Sequence, residues 1–152
     1  MKKVLLVEDD EDKRNQIIHY LNGNFICELE EVRSYHSALN AVRTQDFDLI
    51  LLDMTIPTFD ITSMEPGGRS QPFGGELILS EMDRKSIDSK VVIITQFDLF
   101  GEGDEEIGLS DLNRRLINQF SDIYIGAIQY SISYNSWQEL LRDKIKNIIE
   151  IK

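Results

Sequence analysis

The ten residues KVLLVEDDED (residues 3–12) join a short apolar run to five consecutive acidic residues. The apolar part is typical of a strand that is covered on both faces, as in a parallel sheet. The acids begin where this strand is expected to end. Two carboxylates about 4 Å apart repel by roughly 4 kcal/mol at an effective dielectric constant near 20. The stretch therefore predicts a buried strand whose end carries negative charge that another group must balance.

Four other segments also have the character of strands. FDLILLD (residues 47–53) and KVVIIT (residues 90–95) are apolar runs like the first, FICELEEV (residues 25–32) alternates, and a fifth strand lies within IYIGAIQYSI (residues 123–132). Apolar residues at helical spacing follow each strand, and Gly23 is predicted to end the first helix. The helices are expected around residues 17–21, 37–44, 76–85, 109–120 and 135–152.

Five βα units with right-handed crossovers predict an α/β fold. The expected architecture is a doubly wound, five-stranded parallel sheet with strand order 2-1-3-4-5 and helices on both faces, which makes three αβα layers. The loops after strands three and four are expected to be long. Residues 1–152 are interpreted as a single domain. Its ligand site is expected beyond the carboxyl ends of strands one and three.

The composition excludes several classes of function. The chain has 41% hydrophobic and 28% charged residues, as ordinary globular domains do. No apolar run approaches the ~20 residues of a membrane span, and the N-terminus lacks the apolar region of a secretory signal. A net charge of −11 argues against direct binding to nucleic acid, which needs clustered Lys and Arg. We therefore expect a cytoplasmic protein without a membrane or nucleic-acid partner.

The acids at the strand ends indicate a metal site. Strand one ends in Glu8 and Asp9 and strand three ends in Asp53, and the fold brings these ends to one edge. A divalent cation would relieve their repulsion, and oxygen ligands of this kind suit Mg²⁺. A carboxylate beside such a metal can attack a phosphoryl group, and Asp53 is the best placed one. Glu11 and Asp12 are interpreted as first-turn residues favoured by the helix dipole.

The motifs LLVEDD (residues 5–10), LILLDMTIP (residues 49–57) and VVIIT (residues 91–95) together resemble the receiver domain of two-component response regulators. The resemblance covers essentially the whole chain and implies the flavodoxin-like fold. It also implies individual roles: Asp53 as phosphoacceptor, Glu8, Asp9 and Asp53 as acids that bind Mg²⁺, the backbone carbonyl of Thr55 as a further metal ligand, Thr95 as the switch hydroxyl, and Tyr130 as the aromatic residue that moves with it.

The sequence departs from the receiver pattern after strand five. Receiver domains carry a lysine there, usually followed by proline, which contacts the phosphoryl oxygens. This chain has YSISYN (residues 130–135), with Ser133 and Tyr134 at those positions, and no lysine occurs between Lys90 and Lys144. Such a contact is worth about 1.5 to 3 kcal/mol, or roughly ten- to a hundredfold in rate. Phosphorylation is therefore expected to be slowed or differently supported.

Two functions remain open on the sequence alone. The first is a receiver that is phosphorylated on Asp53 by a histidine kinase or a phosphotransfer protein and then regulates a downstream protein. The second is a receiver-like adaptor that binds partners through its long loops without phosphorylation. An enzyme that hydrolyses phosphate esters is not favoured, because it would need a second acid two positions after its nucleophile, and Thr55 stands there. We therefore expect no enzymatic turnover.

Overall fold

The computed structural model describes residues 1–60 and 70–152, which form a five-stranded parallel sheet with helices on both faces. The strands follow the predicted order 2-1-3-4-5, and each neighbouring pair is parallel. This confirms the doubly wound fold expected from the sequence. In chain order the strands are β1 (Lys3–Val7), β2 (Glu28–Val32), β3 (Leu49–Leu52), β4 (Lys90–Thr95) and β5 (Tyr124–Gln129).

A helix follows each of these strands in the described part of the chain. The helices are α1 (Glu11–Asn24), α2 (Tyr35–Thr44), α3 (Gly74–Arg84), α4 (Leu109–Gln119) and α5 (Ser136–Ile145). The start of α2 is held by a capping box, in which the side chains of Ser34 and Ser37 each accept a backbone N–H of the other residue. None of the described helices is long and apolar enough to cross a membrane.

The sheet is buried on both faces, because successive side chains of a strand point to opposite sides. Leu5 of β1 and Ile50 of β3 belong to the core formed with α2, α3 and α4, whereas Leu6 and Leu51 belong to the core formed with α1 and α5. Each of these four side chains is at most 1% exposed. Burial of such a side chain contributes about 1.5 to 3 kcal/mol, so the continuous apolar runs hold three layers together.

The first helix does not end at Gly23, so that prediction was wrong. Helix α1 continues to Asn24, and its last turn is closed when the N–H of Phe25 donates to the carbonyl of Leu21. The side-chain amide of Asn24 also donates to the carbonyl of Tyr20, at 2.8 Å. These two bonds satisfy carbonyls at the helix end without the left-handed residue that a glycine stop provides.

The predicted second strand is split, and the last helix is shorter than predicted. Only Glu28–Val32 joins the main sheet, while Phe25–Ile26 pairs antiparallel with Glu150–Ile151 near the C-terminus. Helix α5 therefore ends at Ile145 and does not continue through the terminal residues. The N–H of Lys152 donates to the carbonyl of Asn24, so the C-terminal segment packs against the end of α1.

The two long loops are present as expected, between β3 and α3 and between β4 and α4. The sequence predicted no regular element in either loop. The described parts nevertheless contain two short antiparallel strand pairs. In each pair the backbone N–H and carbonyl groups bond to each other, whereas in a plain loop they would bond to water. Residues 61–69 of the first loop lie outside the described residues. The pairs are Ile56–Pro57 with Ser70–Gln71, and Leu99–Phe100 with Ile107–Gly108.

Gly75 is the second residue of α3 and packs against the segment that follows β3. A Cβ atom on Gly75 would lie 2.9 Å from the carbonyl oxygen of Asp53, whereas a Cβ atom on Gly23 would have nothing within 4 Å. We expect Gly75→Ala to lower the free energy of unfolding by about 1 to 3 kcal/mol. The helical control Gly23→Ala should raise it by about 0.5 to 1 kcal/mol. Urea denaturation measures both, and equal effects would contradict the close packing at Gly75.

Candidate functional site: an acidic pocket with a buried lysine

Backbone hydrogen bonds carry Glu8 and Asp53 to the carboxyl edge of the sheet. The N–H of Glu8 donates to the carbonyl of Val32 at 3.0 Å, and the N–H of Asp53 donates to the carbonyl of Val7 at 3.1 Å. The parallel pairing of β1 with β2 and β3 thus continues for one residue beyond each ladder. Because neighbouring strands lie about 5 Å apart, the two acidic side chains start from adjacent positions.

Three carboxyl groups converge in this pocket. Glu8, Asp9 and Asp53 each offer a carboxylate oxygen, and these oxygens lie within 4.8 Å of one another. Glu8 is 1% exposed and Asp53 is 6% exposed, while Asp9 lies at the surface. Hard oxygen ligands at this spacing fit a cation such as Mg²⁺, which binds a few carboxylates and keeps several waters. The residues present therefore fit the metal that the sequence implied.

The structure also places a lysine in the pocket that the sequence analysis missed. The Nζ atom of Lys13 lies 2.6 Å from a carboxylate oxygen of Glu8 and 3.5 Å from Oδ2 of Asp53. It donates a hydrogen bond to the carbonyl of Ile94 at 2.7 Å and lies 5.8 Å from the centroid of the Tyr130 ring. Lys13 is 1% exposed, so its ammonium group is a fully buried charge among the acids.

Helix α1 holds Lys13 in this position. The side chain of Asp10 caps the helix by accepting the N–H of Lys13 at 3.0 Å, and the N–H of Asp10 donates to a carboxylate oxygen of Glu8 at 3.1 Å. Glu11 and Asp12 are exposed in the first turn, where the helix dipole favours acids, as predicted. The five consecutive acids thus divide into two pocket residues, one cap and two first-turn residues.

A signal for Lys13 was present in the sequence. Lys13 lies four residues before Ile17, which lies four residues before Leu21, and residues at this spacing share one face of a helix. That face of α1 is buried in the structure. A cation in the first helical turn is also disfavoured by the helix dipole. A lysine on a buried face in that turn therefore requires a negatively charged partner.

Burial raises the pKa values of the three acids in the pocket. It raises the pKa of Glu8 to about 8, the charge of Asp53 adds to this rise, and the ammonium of Lys13 opposes it. Burial likewise raises the pKa of Asp53, again opposed by Lys13, and raises that of Asp9. With a pKa of about 8, Glu8 retains its proton near neutral pH when no metal is bound. A divalent cation would have to displace that proton.

The two threonines predicted to belong to the site lie near it. Thr95 is the last residue of β4, is fully buried, and its hydroxyl oxygen accepts the N–H of Phe97 at 3.2 Å. Thr55 lies two residues after Asp53, and its hydroxyl donates to the carbonyl of Pro72 at 3.2 Å. The switch role of Thr95 and the metal contact of the Thr55 carbonyl remain predictions.

The end of β5 contains aromatic and hydroxyl side chains. Tyr130 follows β5 directly, is buried, and packs on Trp137 with ring centroids 5.3 Å apart. Its N–H donates to the carbonyl of Thr95 at 2.8 Å, so the pairing with β4 continues one residue beyond β5. Ser133 and Tyr134, which the sequence analysis assigned to the usual lysine and proline positions, are both exposed.

The fold and the pocket together define a doubly wound α/β domain with an acidic site at the switch point of its sheet. The chain belongs to the response regulator receiver domain family, whose model matches residues 4–100. Receiver domains are regulatory domains that bind Mg²⁺ in this pocket and interact with histidine kinases or phosphotransfer proteins and with effectors. The resemblance inferred from the motifs is thereby confirmed.

Known proteins similar to this chain agree with that assignment. The chain is 27% identical to the Detocs response regulatory protein DtcB of Enterobacter cloacae over 154 residues, which is 98% of this chain and 99% of that protein. A Francisella response regulator receiver domain has the same fold, with a TM-score of 0.65 and 18% identity over 97% of this chain and 96% of that one. The response regulator TrrA of Thermotoga maritima, solved in complex with Mg²⁺-BeF, matches with a TM-score of 0.55 and 19% identity, covering 94% of this chain and 98% of that one.

The raised pKa of Glu8 predicts how stability depends on pH. A proton binds Glu8 more tightly in the folded protein than in the unfolded chain, whose glutamate pKa is near 4.5. The metal-free protein should therefore lose stability as the pH rises from about 4.5 to about 8. We expect a decrease of a few kcal/mol in the free energy of unfolding, because one pKa unit corresponds to about 1.4 kcal/mol.

Urea denaturation at a series of pH values, with a metal chelator present, measures this dependence. Glu8→Gln should remove most of the slope, because the amide does not titrate. The exposed Glu139 provides a matched control, and Glu139→Gln should keep the slope of the wild-type protein. A Glu8→Gln protein that still shows the full slope would mean that the titration does not arise at Glu8.

Proposed function

We propose that this chain is a phosphoacceptor receiver domain that is phosphorylated on Asp53 in the presence of Mg²⁺ and regulates a partner protein. The observation that carries the proposal is the convergence of Glu8, Asp9 and Asp53 at the carboxyl ends of two neighbouring strands. These acids, with the backbone carbonyl of Thr55, would hold the Mg²⁺ ion. The metal, when bound, neutralises charge on the phosphoryl oxygens.

Asp53 is suited to act as the nucleophile. Its Oδ1 accepts the N–H of Met54 at 2.8 Å, which fixes the carboxylate and leaves Oδ2 on the side of Lys13. In the proposed reaction, an oxygen of Asp53 attacks the phosphorus of a phosphohistidine and a P–O bond forms as the P–N bond breaks. The electron pair of the P–N bond stays on the leaving nitrogen, and the imidazole leaves as a neutral ring because its other nitrogen already carries a proton. The product is an acyl phosphate on Asp53. Position and electrostatics supply most of the catalysis in such transfers.

Thr95 could connect a phosphoryl group on Asp53 to the protein surface formed by the loop after β4. Its hydroxyl oxygen accepts the N–H of Phe97 in the loop after β4. A hydroxyl that turned to donate to a phosphoryl oxygen would weaken this contact. Phe97 and Leu99, which lie in that loop, are 51% and 57% exposed. Rearrangement of this apolar surface would change its affinity for a partner. The contact between Thr95 and Phe97 therefore supports the proposed switch role of Thr95.

The proposed donors are a histidine kinase or a phosphotransfer protein, and the proposed output is binding to a downstream protein. Membership of the receiver family supports both. The relative from Enterobacter cloacae is itself named a response regulatory protein, and it is matched along almost its whole length. We place this function in the cytoplasm, where two-component kinases present their phosphohistidine, with no direct nucleic-acid or membrane partner.

Labelling with a small phosphodonor tests the proposal. Radiolabelled acetyl phosphate and Mg²⁺ should label the wild-type protein, and Asp53→Asn should abolish the label because the amide cannot accept a phosphoryl group. Asp46→Asn is the matched control, since Asp46 is an exposed aspartate that precedes β3 at the opposite edge of the sheet. Unchanged labelling of the Asp53→Asn protein would refute the assignment of the phosphoacceptor.

A second candidate function is favoured by the lysine in the pocket. Lys13 already pairs with Glu8 and Asp53, so the pocket has a built-in cation and could serve a receiver-like adaptor that is never phosphorylated. Partner binding would then be indifferent to Asp53 and to phosphoryl analogues. Beryllofluoride with Mg²⁺ distinguishes the two functions: a saturable change in Trp137 fluorescence supports the phosphoacceptor, and no change at any concentration supports the adaptor.

A further inference from the structure

We propose that Lys13 of α1 provides the ammonium group that binds the phosphoryl group on Asp53, in place of the lysine missing after β5. This inference rests on the proposed phosphoacceptor function. It assigns the phosphoryl-binding cation to helix α1 and not to the segment after β5.

One N–H group of the Lys13 ammonium is available to a phosphoryl oxygen. An ammonium group has three N–H donors. Two of them are used in short contacts, to Glu8 at 2.6 Å and to the carbonyl of Ile94 at 2.7 Å. The distance to Oδ2 of Asp53 is 3.5 Å, which is longer than the 2.7 to 2.9 Å of a charge-assisted hydrogen bond. The third donor therefore faces the phosphoacceptor without a close bond to it.

The oxygen of Asp53 that faces Lys13 is the one available for the reaction. Oδ1 is held by the N–H of Met54 at 2.8 Å, so Oδ2 is the oxygen without a backbone partner. A phosphoryl group on Oδ2 would extend into the space next to Nζ and bring its own oxygens to the third donor. Lys13 would then neutralise charge on the phosphoryl group.

The charges in the pocket give Lys13 a reason to remain there when a metal binds. Three ionised carboxylates carry three negative charges, and a divalent cation balances two of them. Lys13 balances the third. Transfer of a phosphoryl group replaces the single charge of Asp53 by about two, which strengthens the need for a second cation. The metal and Lys13 are therefore complementary in this pocket.

The surroundings of Lys13 hold its ammonium group in place. Its chain runs along the buried face of α1, and the Tyr130 ring lies 5.8 Å from Nζ. A buried ammonium keeps little freedom to swing away, unlike a lysine on an exposed loop. At the end of β5, by contrast, Ser131 and Ser133 offer only neutral hydroxyls, and their segment bonds to itself through the N–H of Ser133 and the hydroxyl of Ser131. Arg14 is a second buried cation beside the pocket, but its Nη1 donates to the backbone carbonyl of Glu8 at 3.2 Å. Lys13 is therefore the buried cation that contacts the side chains of both Glu8 and Asp53.

Beryllofluoride binding at saturating Mg²⁺ tests this role, with Trp137 fluorescence as the readout. Lys13→Met removes the charge at similar length, and Lys13→Gln keeps a neutral donor. Both variants should bind beryllofluoride about ten- to a hundredfold more weakly, while their affinity for Mg²⁺ stays equal or becomes tighter because a competing cation is gone. Lys90→Met is the control: Lys90 is exposed at the opposite end of β4, and its loss should change neither affinity.

A measurement on the wild-type protein covers the case in which the variants do not fold. The ¹³Cε resonance of Lys13 should shift when beryllofluoride is added to the Mg²⁺-loaded protein, whereas that of Lys90 should not. Variants that bind beryllofluoride as the wild-type protein does, or a Lys13 resonance that does not move, would overturn the proposal. Those results would leave the phosphoacceptor function intact. A wild-type protein that binds no beryllofluoride would instead refute the phosphoacceptor function, and the role of Lys13 with it.

Discussion

The charge balance at the carboxyl edge of the sheet is the constraint on which the site depends. Backbone pairing brings Glu8 and Asp53 side by side in a buried position, and the raised pKa values of both show how unfavourable their ionisation is there. Lys13 relieves part of this repulsion. Lys13 belongs to the first turn of α1. The position of that turn therefore decides how close the ammonium group lies to Glu8 and Asp53, and so how strongly it favours their ionised forms. Asp10 strengthens the link, since it caps α1 and also bonds to Glu8.

Stability alone does not account for this arrangement. A buried ion pair often contributes less than well-packed apolar side chains of the same volume, because both charges lose their hydration. Lys13 and Glu8 are each about 1% exposed, and Lys13 also stands in the helical turn that the dipole makes unfavourable for a cation. The chain thus keeps a costly polar pocket at the edge of an otherwise apolar sheet. Sites whose groups must bind and release ligands or protons have this character.

The parts of the fold that the sequence predicted are those with long-range apolar patterns. The runs that became β1, β3 and β4 are buried on both faces, so their residues are apolar at every position and their strand order follows from the crossover rule. The pairing of Phe25–Ile26 with Glu150–Ile151 could not be predicted, because two residues carry no periodicity. Gly23 was misread as a stop, although Asn24 and Phe25 close the helix by hydrogen bonds that composition does not reveal.

The candidate site shows the same division. Glu8, Asp9 and Asp53 could be grouped from the sequence, because the ends of parallel strands meet at one edge whatever their separation along the chain. Lys13 could not be grouped with them in this way, because it lies on a helix and the receiver pattern places the phosphoryl-binding lysine after β5, where this chain has Ser133. What the chemistry requires is a positive charge beside the phosphoacceptor, and the buried face of α1 places the ammonium of Lys13 3.5 Å from Oδ2 of Asp53. Once the helix is drawn with Lys13, Ile17 and Leu21 on one face, a lysine on that face has to lie beside the acids. A missing residue at an expected position is therefore weak evidence for a missing function when a neighbouring element supplies the same charge.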